Sequence, residues 1–114
     1  MSTIEQGLVG RTLVGVDGNK IGRIEAIYVN DATEEPEWVA IHLGGLLGSK
    51  LGFAPVREVS PEGDHAVINL DKKLVSHAPT TRSEGALSPD ENDALYRYYH
   101  LDQSRPAGSR TIEI

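Results

Sequence analysis

Apolar and polar positions over the first two-thirds of the chain alternate in short runs broken by turn formers, which is the pattern of strands. Thr12–Val16 is an apolar, extended run. Asp17-Gly18-Asn19 behind it tolerates the positive φ that a hairpin turn demands. Ile21 to Val29 predicts a long second strand with a conflict of parity. Ile24, Ala26 and Tyr28 share one face of a regular strand, while Arg23, Glu25, Ile27 and Val29 share the other. The first set suits a core early in the strand and the second suits it late. A β-bulge near Glu25–Ala26 shifts the alternation by one residue and removes the conflict. Bulges of this kind help a sheet curl into a barrel.

Glu37 to Leu43 alternates cleanly, with Val39, Ile41 and Leu43 assigned inward and Trp38, Ala40 and His42 outward. Lys50 to Val56 reads as a fourth strand, Ser60-Pro61-Glu62-Gly63-Asp64 as a turn and His65 to Leu70 as another strand. Asp71 to His77 can close a helical turn. Val14, Ile24, Val39, Ile41, Phe53 and Ile68 are the expected core.

The pattern then changes period. Ser88 can cap a helix, Pro89 suits its first position and Glu91 completes a capping box. Ala94, Leu95, Tyr98 and Leu101 follow at helical spacing, opposite Asp93, Arg97 and His100. The expected organisation is therefore a β-barrel over residues 1–79 and a connector and C-terminal helix over 80–103. That helix packs on the barrel or on a second subunit, and residues 104–114 form a flexible tail in which 111–114 could be a stray extended piece. The fold class is all-β, a small, strongly bent antiparallel barrel of about six strands with one C-terminal helix.

Composition narrows the function classes. With 114 residues the chain is one domain's worth. The formal net charge of −6 disfavours a broad nucleic-acid-binding face, which needs clustered Lys and Arg. The absence of Cys removes disulfides, thiol catalysis and Cys-based metal sites. Residues 1–10 carry no basic region followed by an apolar run, and no stretch approaches the ~20 apolar residues that span a bilayer. A cytoplasmic protein without membrane insertion is expected.

No constellation of catalytic residues stands out. His42, His65, His77 and His100 show no ligand spacing, so no metal or cofactor is expected. The loops around Gly18 and around Gly44–Ser49 lack the order of phosphate-binding or EF-hand loops. Asp31, Glu34, Glu35 and Glu37 form an acidic cluster that reads as a solvated turn, with a weak cation site or a docking patch as the alternative. Leu46 and Leu47, between glycines, either tuck under the barrel rim or form a contact patch.

Leu8-Val9-Gly10-Arg11-Thr12 and Asp17-Gly18-Asn19-Lys20-Ile21-Gly22-Arg23-Ile24 resemble the opening hairpin of the PRC-barrel family. Ile27–Asp31, the Trp-containing strand Glu35–Ile41 and the segment Phe53-Ala54-Pro55-Val56 extend the likeness. The Ala78-Pro79 pair and the helix carrying Leu95-Tyr96 and Tyr98-Tyr99 are similar to bacterial stand-alone members, especially actinobacterial ones. The resemblance implies a six-stranded, strongly bent barrel that works by binding other proteins. The reaction-centre H subunit's cytoplasmic domain and the C-terminal domain of RimM are members of that kind. It carries over no catalytic residues.

The expectation is thus a non-enzymatic interaction module that self-associates as a homodimer and meets an unidentified protein partner. A small-molecule or ion-binding protein using the barrel mouth or the acidic turn 31–37 is the alternative. Trp38, the only Trp, points outward and needs a cover. Either the C-terminal helix supplies it through Leu95, Tyr98 or Tyr99, or a second copy does. Leu46 and Leu47 would enlarge that patch, so these six residues are the candidate interaction site.

Overall fold

A computed structural model describes residues 7–43, 50–80, 85–101 and 107–111. Strand β1 (Thr12–Val14) runs into a tight turn and returns as β2 (Lys20–Asn30). Gly18 takes φ +84° at the turn. Asn19 donates its side-chain amide to Asp17 at 2.8 Å, which holds the Asp17 carboxyl below its usual range. Strand β3 (Pro36–Leu43) pairs antiparallel with β2.

Two irregularities explain how β2 keeps one set of side chains inside. Against β3 the pairing steps from Ile24↔Ile41 to Ala26↔Ala40, so Glu25 is skipped, at the bulge the parity conflict predicts. Against β1 it steps from Gly22↔Leu13 to Lys20↔Val14, so Ile21 is skipped too. Ile21, Ile24 and Ile27, three apart, therefore all enter the same core. Gly22 sits where β2 bends over β3, and a Cβ there would lie 2.3 Å from the His42 carbonyl oxygen. Only glycine allows that approach.

Strand β4 (Lys50–Pro55) pairs with β3, and a 3-10 turn (Val56–Glu58) leads to the hairpin of β5 (Val59–Glu62) and β6 (His65–Ile68). The main strand order is β4-β3-β2-β1-β6-β5. Strand β6 lies parallel to β1, so the sheet is mixed where an all-antiparallel one was expected. Among the described residues β4 and β5 are not hydrogen-bonded to each other, and the barrel is not closed by a ladder. Helix α1 (Lys72–Ser76), capped by Asp71 through the Leu74 amide, packs against β2 and β4 and sends Val75 into the core.

The chain then crosses to the outside of the sheet. A short strand β7 (Ala86–Leu87) precedes helix α2 (Pro89–Tyr98), whose capping box forms in full. The Glu91 amide donates to Ser88 Oγ at 3.1 Å and the Ser88 amide to Glu91 Oε1 at 2.8 Å. Strand β8 (Ser109–Thr111), inside the segment expected to be a tail, pairs with β2 and β7. It lies beside the second half of β2, while β1 takes the first half.

Two cores result. The barrel interior is aliphatic and includes Leu8, Leu13, Ile21, Ile24, Ile27, Val39, Ile41, Ile68 and Val75. The second lies on the other side of β3, where Tyr28, Trp38, Ala40 and Phe53 meet Ala78, Leu87 and Leu95. Of the expected core, Ile24, Val39, Ile41, Phe53 and Ile68 are buried. Val14 is only half-buried and Leu13 takes its place, because β1 is too short to set its own phase and the step between Leu13 and Val14 sets it.

Candidate functional site

Trp38 is the centre of the outer face. Its neighbours across the ladder are Tyr28 on β2 and Pro55 on β4. Helix α2 of the same chain covers it: the Tyr96 ring meets the indole edge-on at 5.3 Å between centroids, and Tyr99 lies tilted at 6.1 Å. Leu95 is buried in the same cluster, and Tyr98 stacks edge-on against Tyr99 at 5.0 Å. Of the two covers expected for Trp38, the structure has the one within the chain. Tyr99 also donates its hydroxyl to the Phe53 carbonyl on β4, and Tyr98 donates to the Leu74 carbonyl of α1.

A buried polar network fixes this arrangement in direction, which apolar packing alone cannot do. The indole Nε1 of Trp38 donates to Asn92 Oδ1 at 2.7 Å. Ser109 Oγ donates to the same oxygen at 3.3 Å. Asn92 Nδ2 donates to Glu37 Oε1 at 2.9 Å and to the Ala107 carbonyl at 2.8 Å. Every hydrogen-bonding position of the fully buried Asn92 amide is thereby filled. The other Glu37 oxygen accepts from Asn30 Nδ2 at 3.0 Å and from the Tyr96 hydroxyl. Asn30 in turn accepts from the Ala32 and Thr33 amides, which ties the network to the acidic turn.

The surroundings raise the phenol pKa values. Burial pushes Tyr96 up, reinforced by its hydrogen bond to Glu37 and the Glu37 charge, against a weaker opposing effect of Arg57. Burial does the same to Tyr99, with a smaller contribution from Tyr98. Tyr98 is raised by burial first and by Asp71 second.

The acidic turn has its own partner. Arg110 on β8 reaches Asp31 at 2.8 Å and Glu34 at 3.6 Å. Sequence reasoning saw the carboxylates and missed the cation, because the two lie 79 positions apart. It also missed Asn92, whose polar side chain reads as solvent-facing although it precedes Leu95 by one helical turn on the buried side. Among the described residues no group of three or more His, Asp or Glu side chains is placed to hold a metal ion.

The candidate residues thus divide. Trp38, Leu95, Tyr98 and Tyr99 are brought together, but as an internal seam in which Trp38 and Leu95 are fully buried. Leu46 and Leu47 lie outside the described residues. Large apolar side chains with substantial exposure are, among the described residues, Val16 at 62% and Leu74 at 38%. No described helix is long and apolar enough to cross a membrane. A family model, PRC-barrel domain, matches residues 7–75. No curated protein matches the chain.

Proposed function

Because the chain belongs to the PRC-barrel domain family, generally associated with protein interactions and not a known enzyme family, we propose that it is a non-enzymatic, self-associating interaction module. The family match over 7–75 is the observation that carries this reading. It acts in the cytoplasm, needs no cofactor, and binds a further protein partner as a homodimer. Leu46 and Leu47, which fall between β3 and β4 in the sequence, and the half-buried Tyr98 are the contact residues. Trp38, Leu95 and Tyr99 serve it by holding α2 on the sheet.

Light scattering on a sizing column at micromolar concentration tests the reading. The expected mass is twice 12.4 kDa. Exchanging Leu46 and Leu47 for Asp should weaken the dimer, because a charge in an apolar contact must be desolvated. A wild-type mass of 12.4 kDa would overturn self-association.

A further inference from the structure

Residues 107–111 lie in the fold much as a bound peptide lies on a receptor. On one side their strand follows β2, with Asn30↔Ser109, Val29↔Arg110 and Tyr28↔Thr111 opposed. On the other it follows β7, with Leu87↔Ser109 and Ala86↔Arg110 opposed. The Asp31 amide donates to the Gly108 carbonyl and the Thr111 amide to the Gly85 carbonyl, both at 2.9 Å.

The slot also reads the sequence. Asn92 holds the Ala107 carbonyl at 2.8 Å. A Cβ on residue 108 would stand 2.4 Å from the Leu87 carbonyl oxygen, so that position accepts glycine alone. Ser109 is fully buried and donates to Asn92. Arg110 lies against the Asp31 and Glu34 carboxylates. Yet the segment, Ala-Gly-Ser-Arg-Thr, carries no large apolar side chain. The segment therefore anchors no large apolar side chain of its own in the core, while the β2 edge beneath it has backbone groups that need a partner strand.

We propose that the slot between β2, β7 and Asn92 is a recognition site for an extended Ala-Gly-Ser-Arg-Thr segment. Its occupant in the dimer is residues 107–111 of a second copy, exchanged for the chain's own. This rests on the self-association reading. Strand addition supplies the affinity, and the glycine, serine and arginine positions supply selectivity. Every contact made within one chain can be remade between two, which is the basis of segment exchange.

The test uses the full chain carrying Gly108→Val, whose own segment no longer fits, and a fluorescein-labelled synthetic peptide of residues 105–114. Anisotropy should show saturable uptake by this variant and uptake weaker by about tenfold in the wild type, whose slot is filled. The peptide carrying Gly108→Val should lose binding. If the variant fails to fold, Arg110→Glu in the full chain takes its place with the same peptide. A variant with native near-UV dichroism that takes up no peptide overturns the proposal. A wild type that is dimeric by light scattering, paired with that result, overturns the exchange while self-association stands. A monomeric wild type whose variant does bind the peptide overturns the second copy as occupant along with self-association.

Discussion

The two faces of β3 solve different problems. Val39 and Ile41 enter an aliphatic interior built from strands β1 to β6 and α1. Trp38 and Ala40, one residue out of phase, enter an aromatic seam closed by α2. The first core is held by apolar packing, which has no preferred direction. The second is held by the ring contacts of Tyr96 and Tyr99 and by the Trp38–Asn92–Glu37 hydrogen bonds. The family-matched stretch, 7–75, includes all of the barrel strands from β1 to β6, and Trp38 with them. Residues beyond it, on α2, supply the cover for Trp38. The barrel therefore leaves its outer face open to whatever follows it in sequence, and here directional polar contacts select the chain's own helix.

The strongest way to break this comparison is to truncate one side chain on each face. Trp38→Ala should cost ~3–5 kcal/mol and Ile41→Ala ~2–5 kcal/mol in urea unfolding. Hydrogen exchange should separate them. Loss of Trp38 should deprotect α2 while β2 and β3 stay protected, whereas loss of Ile41 should deprotect the sheet as a whole. Equal loss of protection in both variants would mean that the two cores form one cooperative unit.

Asn92→Ala probes the polar side of the seam alone. It leaves the Trp38 indole N–H and one Glu37 oxygen without their partner, at about 1–3 kcal/mol for a buried unsatisfied group. It should also loosen β8, whose Ala107 and Ser109 contacts it removes. A melting temperature unchanged from wild type would show that the network has no part in fixing the helix.

Much of the barrel was legible because its signals are local. The parity conflict in Ile21–Val29 placed the bulge at Glu25, and the Ser88-Pro89-Asp90-Glu91 run placed the helix start. The alternation of Glu37–Leu43 separated two faces correctly, but it could not say that the outward face is as buried as the inward one. That depends on residues more than 50 positions away, as the Trp38–Asn92 bond does. The parallel pairing of β1 with β6 and the strand at Ser109–Thr111 were hidden for the same reason. Ser109, Arg110 and Thr111 carry no apolar alternation, so their strand exists only through the edge it pairs with.

Smaller effects sharpen the picture of α2. Ser88→Ala removes the side-chain acceptor of the Glu91 amide and should cost about 1 kcal/mol, read by thermal melting. A loss no larger than the measurement error would mean that the capping box adds nothing once the helix is docked. The smallest effect at neutral pH is ionic. Tyr96 and Tyr99 have phenol pKa values raised in the fold, whereas unfolded phenols ionise near 10. Below that pH both states are protonated and neither phenol contributes. Above it the unfolded chain releases protons that the folded chain keeps, so stability falls as pH rises. The melting temperature should decline above about pH 10, with tyrosinate absorbance lagging behind that of the unfolded chain. Tyrosines that all titrate at the free value while the melting temperature holds steady would contradict the buried seam.

The cover of Trp38 by its own chain is tested most directly by acrylamide quenching of Trp fluorescence across dilution from micromolar to nanomolar protein. Acrylamide is neutral, so the net charge of −6 does not repel it. With Tyr96 and Tyr99 of the same chain over the indole, emission should stay blue-shifted and quenching equally weak at every concentration. Emission that turns water-like and readily quenched on dilution would contradict the account and put the cover on a second copy.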